Sequence, residues 1–155
     1  INNVPHVVLM KRNVYPGVHS GQISFPGGQK EQEDEDLVRT ALRETHEEIG
    51  VQPHEIQVLG NLTRVFIPPS NFLVQPVIGF TNSRPVFVPH FKEVDTLLEV
   101  PFSAFAEAEN TRETTVEARG TTFLVPAFIV ENEVIWGATA MMISEIVHLL
   151  QTDDR

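Results

Sequence analysis

Val38, Ala41, Leu42, Thr45 and Ile49 fall on one stripe at helical spacing, and Gly50 stands where the helix would be capped. The spacing predicts a helix over residues 34–49 with that stripe turned to a core. Within it, Arg43-Glu44-Thr45-His46-Glu47-Glu48 sets Glu44, Glu47 and Glu48 on an adjoining arc of roughly 100°. Any fold that buries the stripe must hold these carboxylates together beside it.

Short extended segments surround the helix. Residues 7–10 read as a buried strand, and residues 23–25 as an extended piece stopped by Pro26-Gly27-Gly28. Residues 57–66 and 72–80 read as strands on either side of a Pro68-Pro69-Ser70-Asn71 turn. Residues 94–98 and 101–108 are expected to form short helical pieces. Residues 114–118, 121–130 and 134–136 read as strands, with turns at Gly120 and at Glu131-Asn132-Glu133. Residues 138–150 close the chain as an amphipathic helix through Met141, Met142, Ile146, Val147 and Leu150. The expected fold class is α+β, an α/β/α sandwich with a mixed β-sheet between helices.

No repeat or low-complexity linker divides residues 1–155, so one domain is expected. The absence of cysteine excludes disulfides, thiolate zinc sites and a cysteine nucleophile, which suits a reducing compartment; a cytoplasmic protein is expected by default. A formal charge of -10 argues against nucleic-acid binding, and the longest apolar runs are too short to span a bilayer. Ile1 is not an initiator methionine, so residues preceding it are expected. Neither a protein partner nor an oligomeric state follows from the residues.

Carboxylates as close as Glu44, Glu47 and Glu48 repel one another unless a cation sits among them. Mg2+ or Mn2+ suits carboxylate oxygens, and on a diphosphate would neutralise developing charge and acidify an attacking water. A carboxylate of the cluster can accept that water's proton. A Glu-Glu pair by itself reads more simply as a solvated helix face with Arg43 in ordinary salt bridges.

The wider spacing favours the metal. It resembles the box of the Nudix hydrolases, Gly-x5-Glu-x7-Arg-Glu-U-x-Glu-Glu-x-Gly-U with U a bulky aliphatic residue, matched in register by Glu35, Arg43, Glu44, Glu47, Glu48, Gly50 and Val51. Thr45 replaces one aliphatic residue, and Gln29 takes the glycine position with Gly28 one residue early, which suggests one extra residue in the loop. The resemblance implies a Nudix fold and a pyrophosphatase. It implies Glu44 and Glu48 as principal ligands of Mg2+ or Mn2+, with Glu47 joining them or holding a second ion. Glu44 is also a possible base, and Arg43 orients the glutamates. Backbone carbonyls of Gly27 or Gly28 complete the metal shell, Glu35 is structural, and a further strand is implied before Val7.

Upstream, Leu9-Met10-Lys11-Arg12 and His19-Ser20-Gly21-Gln22-Ile23-Ser24-Phe25-Pro26-Gly27-Gly28 resemble the signature of the coenzyme A pyrophosphatase branch. The one-residue offset at Gly28 is usual there. The implied reaction splits coenzyme A or acyl-coenzyme A into 3′,5′-ADP and (acyl-)4′-phosphopantetheine, with Arg12, His19, Gly27 and Gly28 contacting substrate. Gly17 stands in place of the branch's middle arginine, for which Lys11, Arg12, Arg64 or Lys92 are the available substitutes. ADP-ribose, NADH, other dinucleotides and nucleoside triphosphates are the rival substrates. A non-catalytic nucleotide-binding regulator is a rival of another class, disfavoured by the intact acidic cluster. His46 is expected in solvent and Trp136 in the core. Glu93 and Glu113 are candidates for an additional metal ligand from outside the helix, each more simply read as surface charge.

Overall fold

The computed structural model describes residues 4–14, 16, 20–118 and 120–152. In chain order these form β1 (His6–Arg12), β2 (Ile23–Ser24), α1 (Leu37–Ile49), β3 (Gln57–Asn61), β4 (Val65–Ile67), β5 (Phe72–Val74) and β6 (Val77–Phe80). There follow β7 (Val94–Pro101), β8 (Thr111–Ala118), β9 (Thr121–Val130), β10 (Glu133–Trp136) and α2 (Gly137–Thr152).

Strand β1 is the middle of a three-stranded sheet, β2-β1-β7. Its neighbouring residues Leu9 and Met10 are both fully buried, but on opposite faces. Leu9 packs with Leu98, Val100, Phe105, Phe128, Ile135 and with Ala140 and Ile143 of α2. Met10 packs with Ile49 of α1, Val51 and Val94. The two-residue period of a strand thus sends successive side chains to two helices, which is the α/β/α sandwich expected from the sequence. Each such fully buried aliphatic side chain contributes about 1.5–3 kcal/mol by leaving water.

A second sheet, β10-β9-β8, lies with β10 beside β2, and the chain from β3 to β6 folds as two nested two-stranded ladders, β3·β6 and β4·β5. Among the described residues every ladder is antiparallel. The two long strands expected over residues 57–66 and 72–80 are each broken once. Pro76 has no N–H for a ladder, and its carbonyl accepts instead from Leu62 N at 3.1 Å, while Gln75 Nε2 donates to Leu62 O at 2.8 Å.

Three expectations need correction. The first helix begins at Leu37, because Asp36 caps it with its carboxylate accepting from Arg39 N at 2.8 Å; residues 34–36 precede it. Residues 94–98 are part of strand β7 and pair with β1, with a register shift that leaves Asp95 without a partner there; their apolar positions are filled by the sheet rather than by a helix face. Short 3-10 turns do follow it, at Phe102–Phe105 and Ala108–Asn110. On α2, Met142 and Ile143 are buried whereas Met141 and Leu150, expected on the inner stripe, are 59% and 55% exposed.

Candidate active site

The C-terminal half of α1 faces the loop that follows β2. Both ends of this contact are fixed by the core. Ile49 and Val51 anchor the helix end beneath β1, and Thr139 Oγ1 of α2 donates to Ile23 O at 3.1 Å, holding β2. Gly50 caps α1 in the left-handed conformation, φ 80°, its N–H donating to His46 O. Beyond it, Val88 N and His90 N donate to Ile49 O and Glu48 O at 2.9 and 2.8 Å, which brings residues 88–93 against the same helix end.

Glu48 lies at the centre of the contact, only 2% exposed. Its Oε2 accepts from Gly27 N at 2.8 Å, and its Oε1 is 3.4 Å from Arg12 Nη2. Arg12 also donates to Gly27 O at 3.3 Å and to Ser24 Oγ at 3.2 Å. Burial pushes the Glu48 carboxyl up to about 7, against the opposing pull of Gly27 N and Arg12; the negative charges of Glu44 and Glu93 add to the rise.

Glu44 sits across from Gly28, close enough that a Cβ on Gly28 would collide with its carboxylate. Desolvation raises its proton affinity too, against the pull of Arg43, with Glu47 and Glu93 contributing repulsion. Glu47 is more exposed, its Oε2 accepting from Arg43 Nη1 at 3.0 Å. The same Nη1 reaches Glu44 Oε1 at 3.0 Å, and Nη2 donates to Gln29 O at 2.9 Å. Arg43 therefore spans the helix and the loop, as a planar fork of donors can.

The far side of that fork holds a residue the sequence reading missed. Asp34, 7% exposed, accepts from Arg43 Nε at 3.1 Å and Arg43 Nη2 at 3.0 Å. Glu35, matched in register to the box, is exposed and stands 3.9 Å from Arg39 instead. Spacing could have revealed this, since Gly28-x5-Asp34 repeats the box's Gly-x5-acid interval one residue early. The added residue thus falls between the acid and Arg43, and not in the loop after Gly28.

Of the expected site residues, Arg12, Gly27, Gly28, Arg43, Glu44, Glu47 and Glu48 are brought together. His19 and Gly17 lie outside the described residues. Lys11 is turned to Glu133 at 2.7 Å and Arg64 to Gln75 at 2.9 Å, whereas Lys92 stands over the Phe91 ring at 5.8 Å. Glu93 is close enough to Glu44 and Glu48 to raise both, while Glu113 sits on β8 opposite Pro126. Trp136 is half-buried and, with Gly27 and Gly28, lines a cleft of about 2260 Å³.

A family model described as NUDIX domain matches residues 1–120. This chain belongs to the NUDIX domain family of hydrolases. It is 32% identical over 155 residues to a protein of Pectobacterium atrosepticum named "Uncharacterized Nudix hydrolase NudL", a match covering 97% of this chain and 77% of that one. It is 36% identical over 143 residues to the chloroplastic Nudix hydrolase 22 of Arabidopsis thaliana, covering 88% of this chain and 47% of that one, so it spans about half of the plant relative. In structure it resembles the Nudix hydrolase RenU of M. smegmatis, with a TM-score of 0.63 and 16% identity over 95% of this chain and 76% of the other. The Nudix fold is therefore the observed fold, and the activity class is hydrolysis of nucleoside diphosphate derivatives. Among the described residues no helix is long and apolar enough to cross a membrane.

Nudix hydrolases work with divalent cations, and the donor set can be tested for one. Among the described residues no three Asp, Glu or His side chains are already gathered as a cage. Two carboxylates whose ionised forms are disfavoured by burial and mutual repulsion nevertheless face a glycine loop, and the space beside Glu44 is kept by the missing Gly28 Cβ. Hard oxygen donors whose charge Arg43 and Arg12 only partly offset suit Mg2+ or Mn2+, so the residues fit such an ion.

Proposed function

We propose that this chain hydrolyses the diphosphate linkage of coenzyme A or an acyl derivative, giving 3′,5′-ADP and (acyl-)4′-phosphopantetheine. The observation that carries the reading is the direct joining of the loop over residues 24–28 to the acidic helix. Gly27 N bonds to Glu48, and Arg12 reaches Glu48, Gly27 O and Ser24 together. The segments that resemble the coenzyme A branch and those that resemble the general box form one centre.

In this reading Glu44 and Glu48 would hold Mg2+ or Mn2+, with Glu47 joining them or holding a second ion and the Gly27 or Gly28 carbonyl as a further donor. The bound ion supplies charge neutralisation at the diphosphate and acidification of water. The chain's own part is to aim and to move a proton. Glu44, facing the glycine loop at Gly28, is the candidate acceptor for that proton. Arg43 holds Glu44 and Glu47. Gly27 and Gly28 admit substrate and Arg12 lies within its reach; contact of substrate with His19 belongs to the same proposal.

Phe66, Leu73, Leu124 and Met141, apolar and exposed along a cleft that Gly27 and Gly28 also line, offer surface to the remainder of such a substrate. Gly17, in the place of the branch's arginine, favours a second reading in which ADP-ribose, NADH or another nucleotide is cleaved by the same centre. The deciding experiment incubates the protein and Mg2+ or Mn2+ with coenzyme A, an acyl-coenzyme A, ADP-ribose, NADH and nucleoside triphosphates, with products identified by mass. Preferred cleavage of coenzyme A species is expected. Coenzyme A left intact while another nucleotide turns over would overturn the substrate assignment.

A further inference from the structure

Residues 84–92 carry two pairs of cation and ring, and the two differ in what becomes of the charge. Arg84 stands 5.4 Å over the half-buried Phe87, with its guanidinium bonded to Glu99 at 2.6 and 2.7 Å. Lys92 Nζ stands 5.8 Å over the ring of Phe91, which is 77% exposed. Among the described residues Lys92 forms no ion pair. The adjacent Glu93 carboxylate is turned to His90 Nδ1 at 3.0 Å, and Lys11, Arg12 and Arg64 are engaged by Glu133, Glu48 and Gln75. A lone exposed ring needs no explanation, but this one is tied to the catalytic centre. His90 N donates to Glu48 O at 2.8 Å, Asn13 Nδ2 to Phe91 O at 2.9 Å and Asn13 N to Glu93 O at 3.0 Å. Asn13 O accepts in turn from Gly21 N at 3.3 Å. The Phe91-Lys92 backbone is thus fixed between the end of α1 and the loop before β2, beside the Arg12 that reaches Glu48 and Gly27.

We infer that Phe91 and Lys92 form a subsite for the nucleoside end of the substrate: a purine base stacks on the exposed ring, and the ammonium pairs with a phosphate monoester on the ribose. The inference rests on the reading of a coenzyme A species as substrate, whose adenosine carries a 3′-phosphate that ADP-ribose and NADH lack. A ring face accepts any base, so Phe91 supplies affinity, whereas the point charge of Lys92 supplies the choice between these nucleotides. A phosphate monoester carries a charge of about -2 near neutrality, and Glu44, Glu47, Glu48 and Glu93 at this centre would repel it. An ammonium already held at the ring offsets that repulsion where the base docks. Phe91 and Lys92 do not line the cleft shared by Phe66, Leu73, Leu124 and Met141. The two ends of an asymmetric diphosphate therefore have separate surfaces to meet.

The test measures, by calorimetry with Mg2+ present, the binding of 3′,5′-ADP and of 5′-AMP, neither of which has a diphosphate to split. The unaltered protein is compared with Phe91→Leu, Phe91→Trp, Lys92→Gln and Arg112→Gln. The unaltered protein should bind 3′,5′-ADP about 3- to 10-fold more tightly than 5′-AMP, and the preference should shrink as salt is raised. In Lys92→Gln the two affinities should come within about 1.5-fold of each other. Phe91→Leu keeps apolar bulk and loses the ring, and should weaken both nucleotides about 5- to 20-fold, whereas Phe91→Trp should restore them. Arg112→Gln removes an exposed charge from β8 and should keep the preference for 3′,5′-ADP. In turnover, Lys92→Gln should raise KM for coenzyme A more than it lowers kcat, and should narrow the gap in kcat/KM between coenzyme A and dephospho-coenzyme A. An undiminished preference in Lys92→Gln, an equal loss of it in Arg112→Gln, or unchanged affinities in Phe91→Leu would overturn the inference. Coenzyme A left uncleaved while 3′,5′-ADP still binds through Phe91 and Lys92 would sink the substrate assignment alone.

Discussion

Replacing Glu48 by glutamine should make the metal-free protein more stable at mildly alkaline pH. The Glu48 carboxyl is 2% exposed, and its folded-state affinity for a proton is raised from the ordinary 4.5 to about 7. A raised folded pKa contributes stability that is fully present below the unfolded value and is lost as pH rises through the folded one. The window is therefore about pH 4.5 to 7, across which the unfolded carboxyl has ionised and the folded one has not. At about 1.4 kcal/mol per pH unit, the buried charge costs the metal-free protein about 3 kcal/mol on the alkaline side. Glutamine is neutral throughout and can still accept from Gly27 N, although the Arg12 ion pair is lost. Urea unfolding in the presence of a chelator should show the variant more stable than the unaltered protein by about 1–3 kcal/mol near pH 8, and the gap should close near pH 5. Added Mn2+ should narrow the alkaline gap by stabilising the unaltered protein alone. A variant no more stable near pH 8, or a gap that does not depend on pH, would refute the argument.

Two glycines give sharper steric predictions. Gly28→Ala places a methyl group against the Glu44 carboxylate, so Glu44 must move; a fall in kcat of about 100-fold or more is expected with the far-ultraviolet circular dichroism unchanged. Gly50→Ala meets both a φ of 80° and Val88, with the new Cβ 2.7 Å from Val88 Cβ and 2.9 Å from Val88 N. It should lower stability by about 1–3 kcal/mol in urea unfolding, more than an exposed Gly120→Ala would.

Much of the centre could be read from the chain because its chemistry is local. Glu44, Glu47 and Glu48 share one helix, and the periodicity that buries Ile49 also fixes which way they point. Gly50 as the cap needed no tertiary information. What escaped was set by tertiary contact. Val94 and Leu98 fit a helical stripe as well as a strand in so short a segment, and pairing with β1 decides for the strand. Asp34 was passed over because helical periodicity was extended through it, whereas the Asp36 cap ends the helix earlier and frees Asp34 to turn inward to Arg43. Met141 and Leu150 were assigned to the inner stripe, yet both remain exposed and both line the large cleft. Sequence alone could not separate Glu93 from Glu113 as an acid near the helix; the bonding of residues 88–90 to the end of α1 brings Glu93 near Glu44 and Glu48.

The account stands on Glu48 being retained, at a cost in stability, for the reaction. The most direct measurement is the turnover of Glu48→Gln on the diphosphate substrate with saturating Mg2+ or Mn2+, under conditions where the variant is fully folded. Turnover lower by about three powers of ten or more, in a protein at least as stable as the unaltered one, is the predicted result. Near-normal turnover would contradict it, since the carboxylate at the meeting point of helix and loop would then have no part in the chemistry.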